Sequence, residues 1–255
     1  MSAEVDASDH SLAAELATSA GRLLLDLRQR LDQGDAPAAV KDAGDAASHA
    51  WLAGQLAQRR PNDAVLSEEA TADPDRVNAE RLWIIDPLDG TREFGEVGRT
   101  DWAVHVALVV GGEAVCGAVA LPGLDRTLHT GDIPTLPPNN GRAPVVVVSR
   151  TRPPAAAEAV AKALDGTLLP MGSAGAKAMA VVRGEADVYV HTGGQYEWDS
   201  AAPVAVALAA GLHCSRVDGS PLRYGQESTW LPDLVIVRPE LAQATLAAVA
   251  EFASQ

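Results

Sequence analysis

The feature that most constrains this chain is the run Trp83-Ile84-Ile85-Asp86-Pro87-Leu88-Asp89-Gly90-Thr91, an apolar segment that ends in two carboxylates, a glycine and a hydroxyl. Residues 82–85 have the branched and aromatic side chains of a strand. Pro87 lacks an amide hydrogen and holds the residue before it extended, so it is expected to stop the strand at Asp86. A tight turn can then aim Asp86 and Asp89 at one point. Gly90 lets the backbone approach a ligand, and Thr91 is placed to open a helix whose free N–H groups suit a phosphate. Converging carboxylates beside an anion cradle describe a hard-cation phosphatase site. The same residue types make ordinary surface turns, so this segment alone leaves both readings open.

Two further segments share its character. Val65-Leu66-Ser67-Glu68-Glu69 is a short apolar strand ending in paired acids, and Glu197-Trp198-Asp199-Ser200-Ala201-Ala202 places acids at the start of an alanine-rich helix. Taken singly, Glu68 and Glu69 suit a solvated loop and Asp199 suits a helix cap. In the order S-E-E, D-P-L-D-G-T, W-D-x-A-A, the three blocks resemble the inositol monophosphatase superfamily of magnesium-dependent, lithium-sensitive phosphatases, over residues 13 to 255. That resemblance implies a layered α-β-α-β-α sandwich (α+β and α/β halves) with the site between the halves.

Composition bounds the alternatives. The 255 residues, 47% of them hydrophobic, are enough for a large core. No apolar run reaches the roughly 18–20 residues that span a membrane, and residues 1–15 are too acidic for a secretory signal, reading instead as a frayed leader into the first helix. Cys116 and Cys214 lack metal-ligand spacing and read as reduced packing residues of a cytoplasmic protein. A net charge of −14 argues against nucleic-acid polymers and anionic membranes. It would also repel an anionic substrate unless clustered carboxylates recruit cations, which then become the largest local positive charge.

Leucines 12, 16, 23, 24, 27 and 31 give a first amphipathic helix ending near Gly34, and residues 45–59 a second. Strands are expected at 64–67, 82–86, 102–110, 114–121 and 126–130, with a hairpin turn at Gly111-Gly112. Residues 131–144 carry four prolines, two glycines and two asparagines and divide an antiparallel N-terminal half (1–140) from an α/β C-terminal half (141–255). In the latter, strands at 145–149, 186–190, 213–217 and 234–237 alternate with helices at 154–164, 174–183, 199–210 and 239–252.

Carried onto matching positions, the resemblance implies that Glu68, Asp86, the Leu88 carbonyl, Asp89 and Asp199 hold two Mg²⁺ ions, with Asp86 bridging. One metal would activate a water and the other stabilise the leaving oxygen. Thr91 would orient the water and, with the Gly90 and Thr91 amides, cradle phosphate. The family's Thr-x-x-Asp is here Asp42-Ala43-Gly44-Asp45. Asp45 is the candidate to activate water or hold a third metal, with Asp42 a rival, and Asp45 as a plain helix cap the bland alternative. His105 reads as a structural histidine, and Trp198 as packing beneath Asp199.

For substrate, Thr91-Arg92-Glu93-Phe94 resembles the D-G-T-[KR]-E-F form of 3′(2′),5′-bisphosphate nucleotidases, which clear a by-product of sulfate activation. Residues 172–177, from Gly172 and Ser173 to Lys177, resemble their G-S-S-x-K element. Ser173 and Lys177 then suit a second phosphate, unless Lys177 is a solvated helix lysine. Pro203 stands where the family has glycine and is expected in a helix's first turn. The implied partner is a small bisphosphate nucleotide or sugar phosphate. The superfamily also implies inositol monophosphatase or fructose-1,6-bisphosphatase activity as an alternative, a metal- or nucleotide-binding pseudoenzyme as a non-catalytic one, and allows a homodimer.

Overall fold

Asp6 starts the first helix. Its carboxylate accepts the amides of Ser8 and Asp9 while Asp9 reaches back to the Asp6 amide, a reciprocal cap. In the computed structural model, which describes residues 5–254, α1 therefore runs from Ala7 to Asp32 and leaves no frayed leader as far as residue 15. Residues 1–4 of that expected leader lie outside the described residues. Leu12, Leu16, Ala20 and Leu24 are fully buried along one stripe.

The second helix, α2, spans Pro37–Arg59 and begins eight residues before the expected start at Asp45. Pro37 supplies the pre-set φ of a first helical position. Gly44 is needed inside the helix because a Cβ there would lie 2.9 Å from the Phe94 ring. Asp45 is consequently an interior helical residue and not a cap.

The strands of the first half are β1 (Ala64–Ser67), β2 (Arg81–Asp89), β3 (Ala103–Val110), β4 (Glu113–Leu121) and β5 (Arg126–His129), in that spatial order. β1 is parallel to β2 and the remaining pairs are antiparallel. Pro87 does not stop β2: the strand continues through a register irregularity between Asp86 and Asp89. β1 pairs β2 only as far as Ile85, so the missing amide of Pro87 falls where β2 has a free edge. A single helical turn, α3 (Thr91–Phe94), follows.

The second half holds β6 (Val145–Ser149), α4 (Ala155–Ala163), β7 (Thr167–Met171), α5 (Ala174–Val182), β8 (Val188–His191), β9 (Gln195–Tyr196), α6 (Glu197–Ala209), β10 (His213–Ser215), β11 (Trp230–Leu231), β12 (Leu234–Val237) and α7 (Ala242–Ala253). Its mixed sheet has the order β10-β12-β8-β6-β7, and β9 and β11 form a separate ribbon. The expectation missed β7 because of Pro170, which an edge strand tolerates. It also missed the two-residue strands of the ribbon. Pro203 lies well inside α6, not in its first turn, and cannot donate to the Asp199 carbonyl.

Five layers result. α1 and α2 cover one face of the first sheet, α5 and α6 fill the space between the sheets, and α4 with α7 cover the far side. No helix among the described residues is long and apolar enough to cross a membrane.

Candidate active site

Ser67 ends β1 and delivers Glu68 to the mouth of the cleft. The β2 irregularity turns Asp86 and Asp89 to one side, and the Ser48 hydroxyl fixes the bend by donating to the Pro87 carbonyl at 2.7 Å. Asp86 Oδ1 accepts the Leu88 amide at 3.1 Å, and Thr91 Oγ1 donates to the Leu88 carbonyl at 3.1 Å. Gly90 adopts φ +84°, and a Cβ there would sit 3.0 Å from Ser173, so both conformation and space exclude a side chain. From α2, half-buried Asp45 stands near the Thr91 side chain, whereas Asp42 is exposed.

The opposite wall comes from the second half. Asp199 sits in the first turn of α6, where its Oδ2 accepts the Tyr196 amide at 2.6 Å. One ligand-capable oxygen from each of Asp86, Asp89 and Asp199 lies within 4.8 Å of the others. Glu68 stands beside this group, near enough to Asp86, Asp89 and Asp199 for their carboxyls to shift its acidity.

The start of α5 does something the sequence did not suggest. Its donors close on Asp89: Ser173 Oγ at 2.5 Å, the Gly175 amide at 2.6 Å and the Ala174 amide at 3.1 Å. Ser173 Oγ also accepts the Ala176 amide as the helix cap. These groups are therefore committed within the protein and are not the open second-phosphate cradle expected of residues 172–177. Lys177 is neither solvated nor free in the cleft. It is buried, and Nζ donates to the Ser173 carbonyl at 2.6 Å.

Burial and the charges of Glu68, Asp89 and Asp199 push Asp86 well above the usual carboxylate range. Burial and the Asp199 charge raise Glu68 to about 7, although the residue as a whole is exposed. Burial and the Asp89 charge raise Asp199 to about 6. Asp45, driven by burial and by Glu69 and Asp42, also rises to about 7. Asp89 goes the other way. Burial alone would raise it, but His105, Lys177 and Ser173 together hold it far below its ordinary value.

The sequence reading gave His105 no part in the site, yet it is fully buried with Nε2 3.2 Å from Asp89 Oδ2 and Nδ1 3.0 Å from the Trp198 carbonyl. A histidine amid alanine and valine on a strand was the available signal. Gly175 reports the same closeness, since a Cβ there would meet His105 Nε2 at 2.0 Å. The Trp198 ring stacks on Tyr196, and the Tyr196 amide orients the Asp199 carboxylate. Arg92 is exposed on α3. That helix is a single turn, so any anion cradle at Gly90 and Thr91 rests on individual amides and not on a macrodipole.

Asp86, Asp89 and Asp199, with Glu68 beside them, fit a divalent metal. They offer hard oxygen donors in a crowded, partly dry space, and Asp86 meets its histidine neighbour only at 3.9 Å. An acid cluster of this kind repels itself until a cation enters.

Comparison with known proteins agrees with this chemistry. Residues 4–255 match the sequence model of the Inositol monophosphatase family. The 3′-phosphoadenosine 5′-phosphate phosphatase of Mycobacterium leprae (strain TN) is 48% identical over 260 residues, covering 97% of this chain and 96% of its own. The 3′(2′),5′-bisphosphate nucleotidase CysQ of Escherichia coli (strain K12) is 31% identical over 204 residues, covering 74% of this chain and 81% of its own. Among solved structures, CysQ from Bacteroides thetaiotaomicron superposes with a TM-score of 0.79 at 26% identity, covering 91% of this chain and 97% of that one. The chain belongs to the inositol monophosphatase family of metal-dependent phosphatases.

Proposed function

We propose that this chain hydrolyses 3′-phosphoadenosine 5′-phosphate to AMP and inorganic phosphate with Mg²⁺ as its metal. The observation that carries the substrate is the 48% identity, over nearly the whole chain, to the Mycobacterium leprae enzyme of that name. Glu68, Asp86, the Leu88 carbonyl, Asp89 and Asp199 would hold two Mg²⁺ ions, or three with Asp45, supplying Lewis acidity at the phosphoryl group and a more acidic water.

The chain's own groups supply positioning and proton transfer. Thr91 Oγ1 donates its one proton to the Leu88 carbonyl, with the Asp45 carboxyl nearby. Its lone pairs remain to receive a hydrogen bond from the attacking water. Asp45, raised to about 7, is matched to accept a proton from that water near neutral pH. Gly90 lets the chain turn at φ +84° against Ser173, the bend from which the Gly90 and Thr91 amides would meet a phosphoryl oxygen.

A phosphate-release panel tests the assignment, with 3′-phosphoadenosine 5′-phosphate, inositol 1-phosphate and fructose 1,6-bisphosphate assayed in Mg²⁺ and after EDTA. The expected result is the highest kcat/KM for the bisphosphate nucleotide, no turnover after EDTA, and inhibition by Li⁺. A preference for inositol 1-phosphate would move the assignment to an inositol monophosphatase, and turnover unaffected by EDTA would remove the metal.

A further inference from the structure

Beside Asp199, three aromatic rings gather where the β9–β11 ribbon meets the start of α6, the ribbon's register setting Trp230 opposite Tyr196. The Tyr196 and Trp198 rings stack with centroids 4.8 Å apart and planes 11° from parallel, and Trp230 meets Tyr196 edge-on at 5.6 Å. Tyr196 remains 44% exposed and Trp230 49%. Large aromatics left half in water form a cluster with unused π area, the Tyr196 and Trp230 rings set at 79° to one another as two walls of a corner. Their placement is built into the backbone. Gly194 has φ +79°, and a Cβ there would lie 1.8 Å from the Trp230 ring, so the indole rests on bare main chain.

The backbone that carries these rings is tied to the acid cluster. The Tyr196 amide holds Asp199 Oδ2, and the Trp198 carbonyl meets the histidine that contacts Asp89. Neither a metal nor a phosphate makes use of a π face. An inositol or sugar phosphate has none to offer in return, whereas a nucleotide carries a phosphate and an aromatic base on one ribose. The geometry points to Tyr196 and Trp230, with Trp198 behind Tyr196, as an aromatic corner in which the purine ring of the substrate stacks on one ring and meets the other edge-on, an inference that rests on the nucleotide reading of the function. Stacking on an aromatic side chain discriminates a base from its absence while leaving the phosphate chemistry alone.

The test compares 3′-phosphoadenosine 5′-phosphate with methyl ribofuranoside 3,5-bisphosphate, which keeps both phosphates and lacks the base. In Trp230→Ala and in Tyr196→Ala, the ratio of kcat/KM for the two compounds should fall by about tenfold, through KM of the nucleotide. Tyr196→Phe, which keeps the ring, should restore the ratio. A ratio unchanged in both alanine variants overturns the aromatic corner, and a shift in oligomeric state alongside that unchanged ratio reassigns the rings to a subunit contact. Wild-type protein that ignores the nucleotide overturns the functional reading and this inference together. Wild-type turnover with an unchanged variant ratio overturns only the aromatic corner. A measurement independent of variant folding uses the wild-type chain: AMP should quench tryptophan emission where ribose 5-phosphate does not, and equal responses to the two overturn the inference.

Discussion

Asp86 and Asp89 leave the same strand three residues apart, yet their surroundings drive their acidity in opposite directions. Around Asp86 stand other acids, one amide donor and a histidine out of bonding range. Around Asp89 stand a hydroxyl, two amides and an imidazole within bonding distance. The first is a carboxylate that the fold leaves short of positive charge, and the second is one the fold has already compensated. A cation should therefore matter most on the Asp86 side, while Asp89 ties the two halves together whether or not a cation is bound.

Substitutions at these two positions should break the comparison if it is wrong. Asp86→Asn is expected to lower turnover by about 10³-fold or more, because it removes a charge that holds the metal. It should not lower the unfolding free energy of the metal-free chain, since it relieves a crowded acid. More than about a tenth of wild-type activity in this variant would contradict the assignment. Asp89→Asn should destabilise the metal-free chain by about 3 kcal/mol in urea unfolding, as an amide nitrogen would face donors that now meet an oxygen. Equal stability changes in the two variants would erase the distinction.

A pH series sharpens it. Glu68, near 7, and Asp199, near 6, bind protons more tightly folded than unfolded. Their contribution to stability is thus lost as pH rises from the ordinary carboxylate range through about 7. Asp89, depressed far below its usual value, loses its contribution only in strong acid. The Tm of metal-free protein should fall between about pH 5 and pH 8, and Mg²⁺ should raise Tm at pH 8 much more than at pH 5. A Mg²⁺ increment independent of pH would argue against coupled acids at the metal site. The smallest effect is expected from Ser173→Ala, which removes one hydroxyl to Asp89 and the cap of α5. Its cost should be about 1–2 kcal/mol in urea unfolding, with little change in the relative kcat/KM of different phosphate esters.

The acids of the cluster were legible because the chemistry needs carboxylates, and carboxylates at strand ends and helix starts leave local signatures. Glu68, Asp86, Asp89 and Asp199 each sat next to an apolar run or a helical pattern. What lay beyond reach was which groups answer them. The amides of Ala174 and Gly175 carry no side-chain signature, and Ser173 and Lys177 read as well for a phosphate as for the carboxylate and carbonyls they actually meet. His105 acts across the layer between two sheets, and no spacing rule relates it to Trp198. In the fold, strands with alternating or continuous apolar patterns were visible. β7 carries Pro170 within it, and α2 begins at Pro37 and takes in Gly44, whose cause is a ring some fifty positions downstream.

The bonds from Ser173, Ala174 and Gly175 to Asp89 join residues 84 to 86 positions apart. Closing a loop of that length has an entropic cost that local contacts do not share, so such pairings form late in folding. Until they do, the β2 carboxylates face water with only half their surroundings in place, and Asp199 has no neighbours to converge on. The chain therefore cannot assemble its acid cluster by halves. The full cluster requires both halves, and metal affinity should reach its final strength only once the two sheets have closed over α5 and α6.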